Sequence, residues 1–383
     1  MNGTIYMPVG EVCSSISDTY REKKNMVTLI NTSDVLEGRV LNHERVPNSN
    51  LKGQFKKTFQ RDDILYSEIR PQNRRFAYVD FSPIDYIAST KLMVIRAKKD
   101  VVSPKYLYYF LKNSSTVAEL QLLAETRSGT FPQITFSEVA NLTIPVPSLA
   151  VQEVIVQTMQ CLEDKITCNE QINDNLQQQA KSLYEEMFLN NPDADMVSGT
   201  LSDIATITMG QSPSGSSYNE ESVGEVFYQG RAEFGFRFPT RRLFTTEPKR
   251  MAEPGDVLLS VRAPVGDLNV AYEKCCIGRG LGAIHSKTGD SSFMLYTMFA
   301  LKPQLDVFNG EGTVFGSINR DGLSNLPVNI PSAEEIAKFE AVVRPMDNLI
   351  RTNYEEICRL QSIRDSLLPK LMSGEIDVSS VQL

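Results

Sequence analysis

Basic side chains and phenylalanines alternate between positions 52 and 76 of this 383-residue chain. Lysine and arginine bind phosphate oxygens, and arginine also forms paired hydrogen bonds with base edges, so such a segment can contact nucleic acid. Loop charges that only face water would give the same composition. We predict contact with nucleic acid for six of the basic residues of this segment, which are Lys52, Lys56, Lys57, Arg70, Arg74 and Arg75.

A second segment, 229–242, mixes glutamine and arginine with glycine and phenylalanine. Glutamine and arginine are the side chains best suited to paired hydrogen bonds with adenine and guanine in the major groove. Much of the aromatic content can instead belong to a domain core. We predict DNA contacts here for Gln229, Arg231, Arg237, Arg241 and Arg242, and elsewhere for Arg127, Gln133 and Arg279.

Two short β-rich runs, 63–67 and 256–260, begin with aspartate and are followed by an arginine and a proline-containing turn. The arginines are Arg70 and Arg262. Each guanidinium either faces DNA or pairs with the aspartate of its own run, Asp63 or Asp256. Both alternatives stay open, and we count both arginines among the candidate DNA contacts.

Residue patterns for catalysis or metal binding are absent from the sequence. The six cysteines lack CxxC spacing, and His43 and His285 are isolated, which favours structural roles for them. Segment 278–283 satisfies a loose dinucleotide-binding pattern, but a strand follows it where a helix is required. We therefore expect no catalytic residue, no metal site and no cofactor in this chain.

The net charge of −8 is unusual for a protein that binds nucleic acid, but the charges are unevenly distributed. Residues 1–150 carry 19 basic and 15 acidic side chains, whereas 151–191 carry 2 basic and 7 acidic ones. Residues 192–331 carry 12 basic and 16 acidic side chains. This distribution is compatible with a positive surface in the first part of the chain, although 192–331 stays acidic.

The chain contains an internal repeat. Segment 131–135 (FPQIT) matches 315–319 (FGSIN) at an offset of 184 residues, and the same offset aligns Asn169 with Asn353. Further upstream the matches continue with slightly larger offsets, which indicates insertions in surface loops. An ordered series of matches over most of both halves indicates duplication.

Each repeat ends in a long predicted helix. Apolar residues three and four positions apart from Val151 onward are typical of a coiled-coil seam, and a second, less regular series follows 332. Pro345 should kink the second helix or delay its regular part, and Pro369 and Gly374 should end it. The predicted seam includes Ile155, Met159, Leu162, Ile166, Asn169, Ile172, Leu176, Val343, Ile350, Asn353 and Leu360.

These patterns predict an α+β protein with two pseudo-symmetric α/β domains separated by two long helices that form an antiparallel coiled coil. A buried asparagine in such a seam commonly fixes its register. The predicted domains are 1–149 and 192–331, and the predicted helical spacers are 150–191 and 332–383.

The sequence resembles the specificity subunit of type I restriction-modification enzymes over nearly its whole length. The resemblance rests on 129–134 (GTFPQI), on 144–147 (IPVP) leading into the first helix, on 169–188 (NEQINDNLQQQAKSLYEEMF) and on 367–376 (LLPKLMSGEI). It implies two target-recognition domains that each read half of a bipartite double-stranded DNA site.

The resemblance also implies partners that carry the chemistry. Two methyltransferase subunits would dock on the chain and methylate adenine, and restriction subunits would join them for cleavage. S-adenosylmethionine, ATP and Mg²⁺ would belong to those subunits, with no cofactor in this chain.

A second hypothesis is a coiled-coil interaction protein whose duplicated domains bind other proteins and not DNA. The acidity of 192–331 favours it. We expect a cytoplasmic protein, because the N-terminus lacks the features of a secretory signal and no segment is apolar enough to span a bilayer.

Overall fold

Two long helices organise the packing of the chain. The computed structural model describes residues 4–48, 53–127, 129–191, 196–309 and 316–378. Packing divides the chain into unit 1, Met1–Cys168 with Glu356–Leu383, and unit 2, Asn169–Glu355. Each long helix therefore contributes one segment to each unit. This division groups residues by contact, and the domain boundaries given from the sequence stay a prediction.

Unit 1 is built on a four-stranded antiparallel sheet in the order β2-β11-β8-β9. A second sheet has the order β6-β3-β10-β7, and β1 pairs with β12. Its strands are β1 (Ile5–Pro8), β2 (Cys13–Ile16), β3 (Met26–Ile30), β4 (Val35–Leu36), β5 (Arg39–Val40), β6 (Val46–Pro47), β7 (Phe55–Lys57), β8 (Ile64–Ser67), β9 (Phe76–Tyr78), β10 (Tyr86–Ser89), β11 (Leu92–Ala97) and β12 (Thr143–Val146). Its helices are α1 (Val9–Val12), α2 (Pro104–Lys112), α3 (Ser114–Arg127) and α4 (Phe136–Asn141).

The first long helix, α5 (Leu149–Tyr184), ends in a π-helical turn, Glu185–Leu189. Unit 2 then contains β13 (Met196–Thr200), β14 (Ala205–Met209), β15 (Tyr218–Asn219), β16 (Glu225–Tyr228), β17 (Phe244–Thr245), β18 (Met251–Ala252), β19 (Val257–Ser260), β20 (Leu268–Val270), β21 (Cys275–Ile277), β22 (Leu281–Ser286) and β23 (Pro327–Pro331). The remaining helices are α6 (Leu201–Ile204), α7 (Ser291–Ala300), α8 (Lys302–Asp306), α9 (Arg320–Ser324) and the second long helix, α10 (Ala333–Ser373).

The two units repeat one topology. The sheet β14-β22-β19-β20 of unit 2 corresponds strand by strand to β2-β11-β8-β9 of unit 1, and β13 pairs with β23 as β1 pairs with β12. The register also agrees, because Ile64 lies opposite Ile95 and Val257 lies opposite Ile284. The predicted duplication and the predicted strands after Asp63 and Asp256 are therefore confirmed.

The aromatic helices α2 and α7 fill the space between each sheet and the long helices. All residues of α2 from Tyr106 to Leu111 are buried, as are those of α7 from Ser292 to Met298. In unit 1 they share one core with Ile155 and Met159 of α5 and with Leu368 of α10. Burial of large aromatic groups supplies much of the energy that holds the sheet on the helices.

The long helices run antiparallel within each unit, as predicted. In unit 1, Lys165 pairs with Glu356 at 3.3 Å, and residues nearer the start of α5 pack with residues nearer the end of α10. In unit 2, Asn173 bonds Asn353, and the ring of Tyr184 lies 5.7 Å from that of Phe339. Residue numbers thus rise on one helix as they fall on the other.

The seam between these helices is more polar in its middle than apolar spacing predicts. Ile172 was predicted to lie in the seam, but it is 39% exposed, and Asn173 and Gln177 are buried there instead. A helix turns 100° per residue, so a seam that follows 169, 173 and 177 leaves 172 on the outer face. Of the other predicted positions, Ile155, Met159, Ile166, Asn169, Val343, Ile350 and Asn353 are buried, and Leu162, Leu176 and Leu360 are half-buried.

The ends of the long helices follow the predicted signals in part. α5 and α10 begin two residues after Pro147 and Pro331, as expected. α10 passes through Pro345 and Pro369 and ends before Gly374, whose positive φ of 77° suits a helix end. The prediction that Pro369 helps to end the helix is wrong. Leu368, Leu371 and Met372 are buried in the core of unit 1, and this packing offsets the lost backbone hydrogen bond.

Candidate nucleic-acid interface

Three backbone segments meet beyond the end of β8 in unit 1, and we call this place junction 1. It consists of 68–70, the turn 90–91 and the segment 131–134. The amide of Glu68 donates to the carbonyl of Lys91 at 3.0 Å, and the amide of Ile134 donates to Glu68 at 2.9 Å. Arg70 donates its amide to the carbonyl of Pro132 at 3.1 Å. These bonds fix the segment that carries Gln133 beside the one that carries Arg70.

Side chains of predicted DNA contacts gather at junction 1. The ammonium group of Lys91 lies 3.3 Å from the side-chain oxygen of Gln133 and 3.6 Å from the carboxylate of Glu68. Lys57 donates to the carbonyls of Thr90 and Leu92 at 3.1 and 2.8 Å, so its ammonium is held against the same turn. Junction 1 therefore brings the positively charged side chains of Lys57 and Lys91 close to Gln133.

The electrostatics of junction 1 favour a negatively charged ligand. Burial lowers the pKa of Lys57, and although Glu68 raises that pKa, the neighbouring Lys91 and Lys56 lower it further. An approaching phosphate would stabilise the charged form of Lys57 against its burial and against the two neighbouring ammonium groups. Arg70 adds an exposed side chain with no hydrogen bond or ion pair to any residue in the described ranges.

Junction 2 is the matching place in unit 2 and consists of 261–263, 278–280 and 316–318. Val261 donates its amide to Gly280 at 3.0 Å, Ile318 donates to Val261 at 3.0 Å, and Ala263 donates to Gly316 at 2.9 Å. These three bonds repeat those of junction 1 one for one. Segments 132–134 and 316–318 thus both cross the end of the equivalent strand, which explains their similarity in sequence.

Two further loops join junction 2. The amide of Gly280 donates to the carbonyl of Gln229 at 3.2 Å, and that of Arg279 donates to the hydroxyl of Ser212 at 3.3 Å. The side chains of Gln229, Arg262 and Arg279 are exposed, and the described part of the chain offers none of them an ion pair. Junction 2 therefore brings together predicted contacts that lie far apart in sequence.

The glycines of junction 2 are required by close backbone packing. A Cβ at Gly210 would lie 2.2 Å from the carbonyl oxygen of Gly278, and one at Gly280 would lie 2.7 Å from that of Gln229. Both distances are too short for any side chain. The loose dinucleotide-binding pattern in 278–283 is therefore explained by contact between loops.

Arg70 and Arg262 occupy neighbouring positions of the repeat and not equivalent ones. Arg262 forms the backbone bridge to Ser317 that Ile69 forms to Gln133, and Ala263 corresponds to Arg70. The prediction of a repeated arginine is corrected by one position. The two side chains consequently leave the backbone in different directions.

Neither arginine pairs with the aspartate of its own run. Asp63 accepts two hydrogen bonds of 2.8 Å from Arg96, and Asp256 accepts one of 2.6 Å from the ring of His285. Arg96 and His285 occupy equivalent places on β11 and β22. The aspartates are therefore structural, and this leaves both arginines available for a ligand.

Several predicted DNA contacts are engaged within the protein. Among them Arg74 and Arg75 are half-buried, and the others are exposed. Arg74 donates to the hydroxyl of Ser114 at 2.9 Å, and Arg75 donates to the carbonyl of Ser33 at 3.0 Å. The other members of this group form ion pairs, namely Arg127 with Glu138, Arg231 with Asp267, Arg241 with Glu273, and Arg242 with Glu233. Lys56 is exposed on β7, and Lys52 lies outside the described residues. Contact with DNA stays a prediction for all of them.

Arg237 does not lie on a surface, so its predicted DNA contact is corrected. Its side chain is 4% exposed and donates to Asp347 at 2.7 Å, to Gln177 at 3.1 Å and to the hydroxyl of Tyr296 at 3.2 Å. A guanidinium enclosed by three partners cannot reach a base. The sequence could not distinguish Arg237 from Arg231, because both stand in the same polar and aromatic segment.

Lys91 and Gln211 belong to the junctions but carry no signal in the sequence. Lys91 is the only basic residue between 76 and 95, so no cluster marks it. Gln211 is exposed, and its amide donates to the carbonyl of Ile277 at 3.0 Å beside the loop of Arg279. Only the strand order places these two residues beside the predicted ones.

The two histidines have structural partners. His43 shares a hydrogen bond of 2.8 Å with the hydroxyl of Tyr86, and His285 bonds Asp256. Within the ranges that the structure covers, no group of three or more His, Cys, Asp or Glu residues is arranged to hold a metal ion. Among those residues there is also no helix with the length and apolar character of a membrane span.

Two copies of one α/β fold, each with arginine and glutamine side chains at a loop junction, are the arrangement expected of a protein that reads DNA sequence. The chain belongs to the type I restriction-modification DNA specificity family, whose profile matches residues 6–178 and 194–359. It is a specificity subunit of a type I restriction-modification system, which is the non-catalytic component that recognises DNA.

Individual relatives agree with this assignment. A putative type I restriction enzyme MjaX specificity subunit from Methanocaldococcus jannaschii is 30% identical over 339 residues, which cover 83% of this chain and 79% of the relative. The HindI specificity subunit from Haemophilus influenzae is 42% identical over 164 residues, which cover 43% of this chain and 36% of that protein.

Solved structures also resemble the chain. One, from work on complex assembly and conformational transition of the type I R-M system, is 27% identical with a TM-score of 0.50 and covers 98% of this chain and 99% of its own. The S subunit of a type I system from M. genitalium has a TM-score of 0.58 at 16% identity, with 97% of both chains covered. The latter likeness concerns the fold alone.

Proposed function

We propose that junctions 1 and 2 each read one half of a bipartite double-stranded DNA site. The observation that carries this proposal is the repeated set of three backbone hydrogen bonds, which fixes different side chains on the same framework. Junction 1 presents Arg70, Lys91 and Gln133, whereas junction 2 presents Gln229, Arg262 and Arg279. Because the side chains at the two junctions differ, the two halves of the DNA site should differ in sequence.

The chemistry would be supplied by partners. Methyltransferase subunits with S-adenosylmethionine would methylate adenine in the recognised site, and restriction subunits with ATP and Mg²⁺ would cleave unmodified DNA. The long helices α5 and α10, of 36 and 41 residues, would separate the two readers. Half-sites about one DNA turn apart, roughly 34 Å, suit such an arrangement.

Methylome sequencing of cells that express this chain with its methyltransferase subunit tests the proposal. The expected result is adenine methylation in one motif with two defined halves and undefined bases between them. Exchange of 192–331 for the same segment of a relative should change one half and leave the other intact. Methylation of an undivided motif, or a change in both halves after the exchange, would contradict the proposal.

The junctions are tested by smaller changes. Arg70→Ala should relax or weaken recognition of one half, and Arg279→Ala should do so for the other half. A variant at a distant lysine, Lys338→Ala, is the matched control, because Lys338 pairs with Glu334 and Glu335 on α10. If both junction variants altered the same half, the assignment of one junction to each half would be wrong.

A further inference from the structure

A tyrosine and an acidic residue form the same pair in both units. The hydroxyl of Tyr109 on α2 donates to the carboxylate of Glu163 on α5 at 2.9 Å. In unit 2 the hydroxyl of Tyr296 on α7 donates to Asp347 on α10 at 3.1 Å. Glu163 and Asp347 are separated by 184 residues, the offset of the repeat, so the two pairs are equivalent.

The cation that completes each pair comes from a different part of the fold. In unit 1 it is Lys112, the last residue of α2, which forms an ion pair with Glu163. In unit 2 it is Arg237, which lies in the loop between β16 and β17. Of these two cations, Arg237 is the one that belongs to a loop with predicted DNA contacts, and it ties that loop to the acidic residue of a long helix.

Arg237 bonds elements from both long helices. Its guanidinium donates to Asp347 on α10 and to Gln177 on α5, as well as to Tyr296 on α7. The side chain is enclosed, and its carbonyl accepts from the amide of Val270 on β20 at 2.8 Å. The residue is thus held by its backbone to the sheet and by its side chain to the helices.

The loop around Arg237 has little freedom to move separately. The ring of Phe238 lies 5.0 Å from that of Tyr354 on α10. The amide of Thr240 donates to the carbonyl of Glu233 at 2.8 Å and closes the segment on itself. Arg231, six residues before Arg237, and Gln229, eight before it, are therefore connected to the helices through a short and well-bonded stretch.

We infer that Arg237 is a positioning residue for DNA reading by unit 2: it fixes the loop of Gln229 and Arg231 to α5 and α10 without contacting DNA. The inference rests on the proposed function. In unit 1 the corresponding cation, Lys112, lies on α2 and not in a segment of junction 1. Replacement of Arg237 should therefore affect recognition by unit 2, whereas replacement of Lys112 should leave recognition by unit 1 unchanged.

Stability and positioning can be separated in this cluster. A buried ion pair is often replaceable by apolar groups of similar volume without loss of stability, because burial of the charges is itself costly. Arg237→Met with Asp347→Leu removes both charges and keeps the volume. The geometry that the planar guanidinium imposes on its three partners is lost in the same step.

The test uses the full chain expressed with its methyltransferase subunit. The variants are Arg237→Met, Arg237→Met with Asp347→Leu, and Arg237→Lys, which keeps the charge but loses the fork of donors. The matched controls are Lys112→Met and Lys112→Met with Glu163→Leu. Thermal unfolding is measured for each, and methylome sequencing gives methylation at sites with one mismatched base pair. The exchange of 192–331 identifies the half read by unit 2.

The Arg237 variants should raise methylation at sites mismatched in the half read by unit 2 by at least about tenfold, with the other half unchanged. The Lys112 controls should leave both halves unchanged, whatever their melting temperatures. Two results overturn the inference: equal relaxation of both halves, or unchanged discrimination by any Arg237 variant that folds. If the unsubstituted chain methylates no bipartite motif, the proposed function itself has failed, and that result appears before any variant is considered.

Discussion

The side-chain amide of Asn353 on α10 donates to the side-chain oxygen of Asn173 on α5 at 2.8 Å, and both residues are buried. A buried polar pair between two helices has one favourable alignment, because a shifted register would leave each amide without its partner. This pair therefore fixes how the two helices align within unit 2.

Replacement of one asparagine should cost more than replacement of both. Asn353→Leu leaves the buried oxygen of Asn173 without its donor, and we expect a loss of about 1–3 kcal/mol in the free energy of unfolding. Asn173→Leu with Asn353→Leu should recover most of that loss. Urea denaturation of the full chain measures both. A double variant as unstable as the sum of the two single ones would show that the hydrogen bond does not couple them.

The long helices show what apolar spacing can and cannot predict. The start of each helix after a proline, the antiparallel pairing and most of the apolar seam follow from the sequence. The presence of Asn173 and Gln177 in the middle of the seam, with Ile172 on the outer face, does not follow from the sequence. Buried amides are stabilised by particular partners on the other helix, and the spacing of apolar residues contains no information about those partners.

Gly210 should tolerate no side chain. In Gly210→Ala the new Cβ would lie 2.2 Å from the carbonyl oxygen of Gly278, so two backbone segments must separate. We expect a loss of about 1–3 kcal/mol, which is typical of overpacking. Gly215→Ala is the control, because nothing lies within 4 Å of its added Cβ. Equal melting temperatures for the two variants would show that the loops of junction 2 are not packed as described.

Arg70 and Arg279 should contribute to DNA binding through charge. We expect Arg70→Ala and Arg279→Ala each to weaken binding of duplex DNA by the assembled complex. If the lost contact is to a phosphate, the slope of log binding constant against log salt should fall by about 1. Fluorescence anisotropy at several salt concentrations measures this, with Lys338→Ala as the control. A control that weakened binding as much as both junction variants would mean that only overall charge matters.

The candidate interface could be predicted in part. Arg70, Gln133, Gln229 and Arg279 are marked by residue type or by the repeat, and the structure brings them to equivalent junctions. Lys91 could not be found, because it is isolated in sequence and reaches junction 1 through strand pairing. The predicted DNA contact of Arg237 was wrong because an arginine, which is suited to base contacts, is equally suited to a buried ion pair with Asp347.

Glu138 should make the stability of unit 1 sensitive to acid. Its carboxylate accepts from the amide and hydroxyl of Thr135, at 2.7 and 2.6 Å, and pairs with Arg127. Burial raises the pKa of Glu138, but these hydrogen bonds and the charge of Arg127 lower it by more, so the pKa in the folded protein is below its ordinary value. A carboxylate with a lowered pKa stabilises the fold above its ordinary pKa near 4.5, and this contribution is lost as the pH falls through the lower value of the folded state.

The matching cap in unit 2 cannot titrate, which provides an internal control. There the side chain of Asn319 accepts from the amide of Gly322 at 2.8 Å. Glu138→Ala should cost about 1 kcal/mol at neutral pH and lessen the loss of stability as the pH falls below the ordinary pKa of a glutamate. Glu138→Gln, which keeps an acceptor without charge, should lessen the pH dependence while it retains part of the cap.

Because Thr135 follows Gln133 and Ile134, a weaker cap should also loosen junction 1, and hydrogen exchange of 131–134 would detect this. Unchanged exchange in 131–134 together with an unchanged acid profile in Glu138→Ala would show that the cap does not support the reading segment.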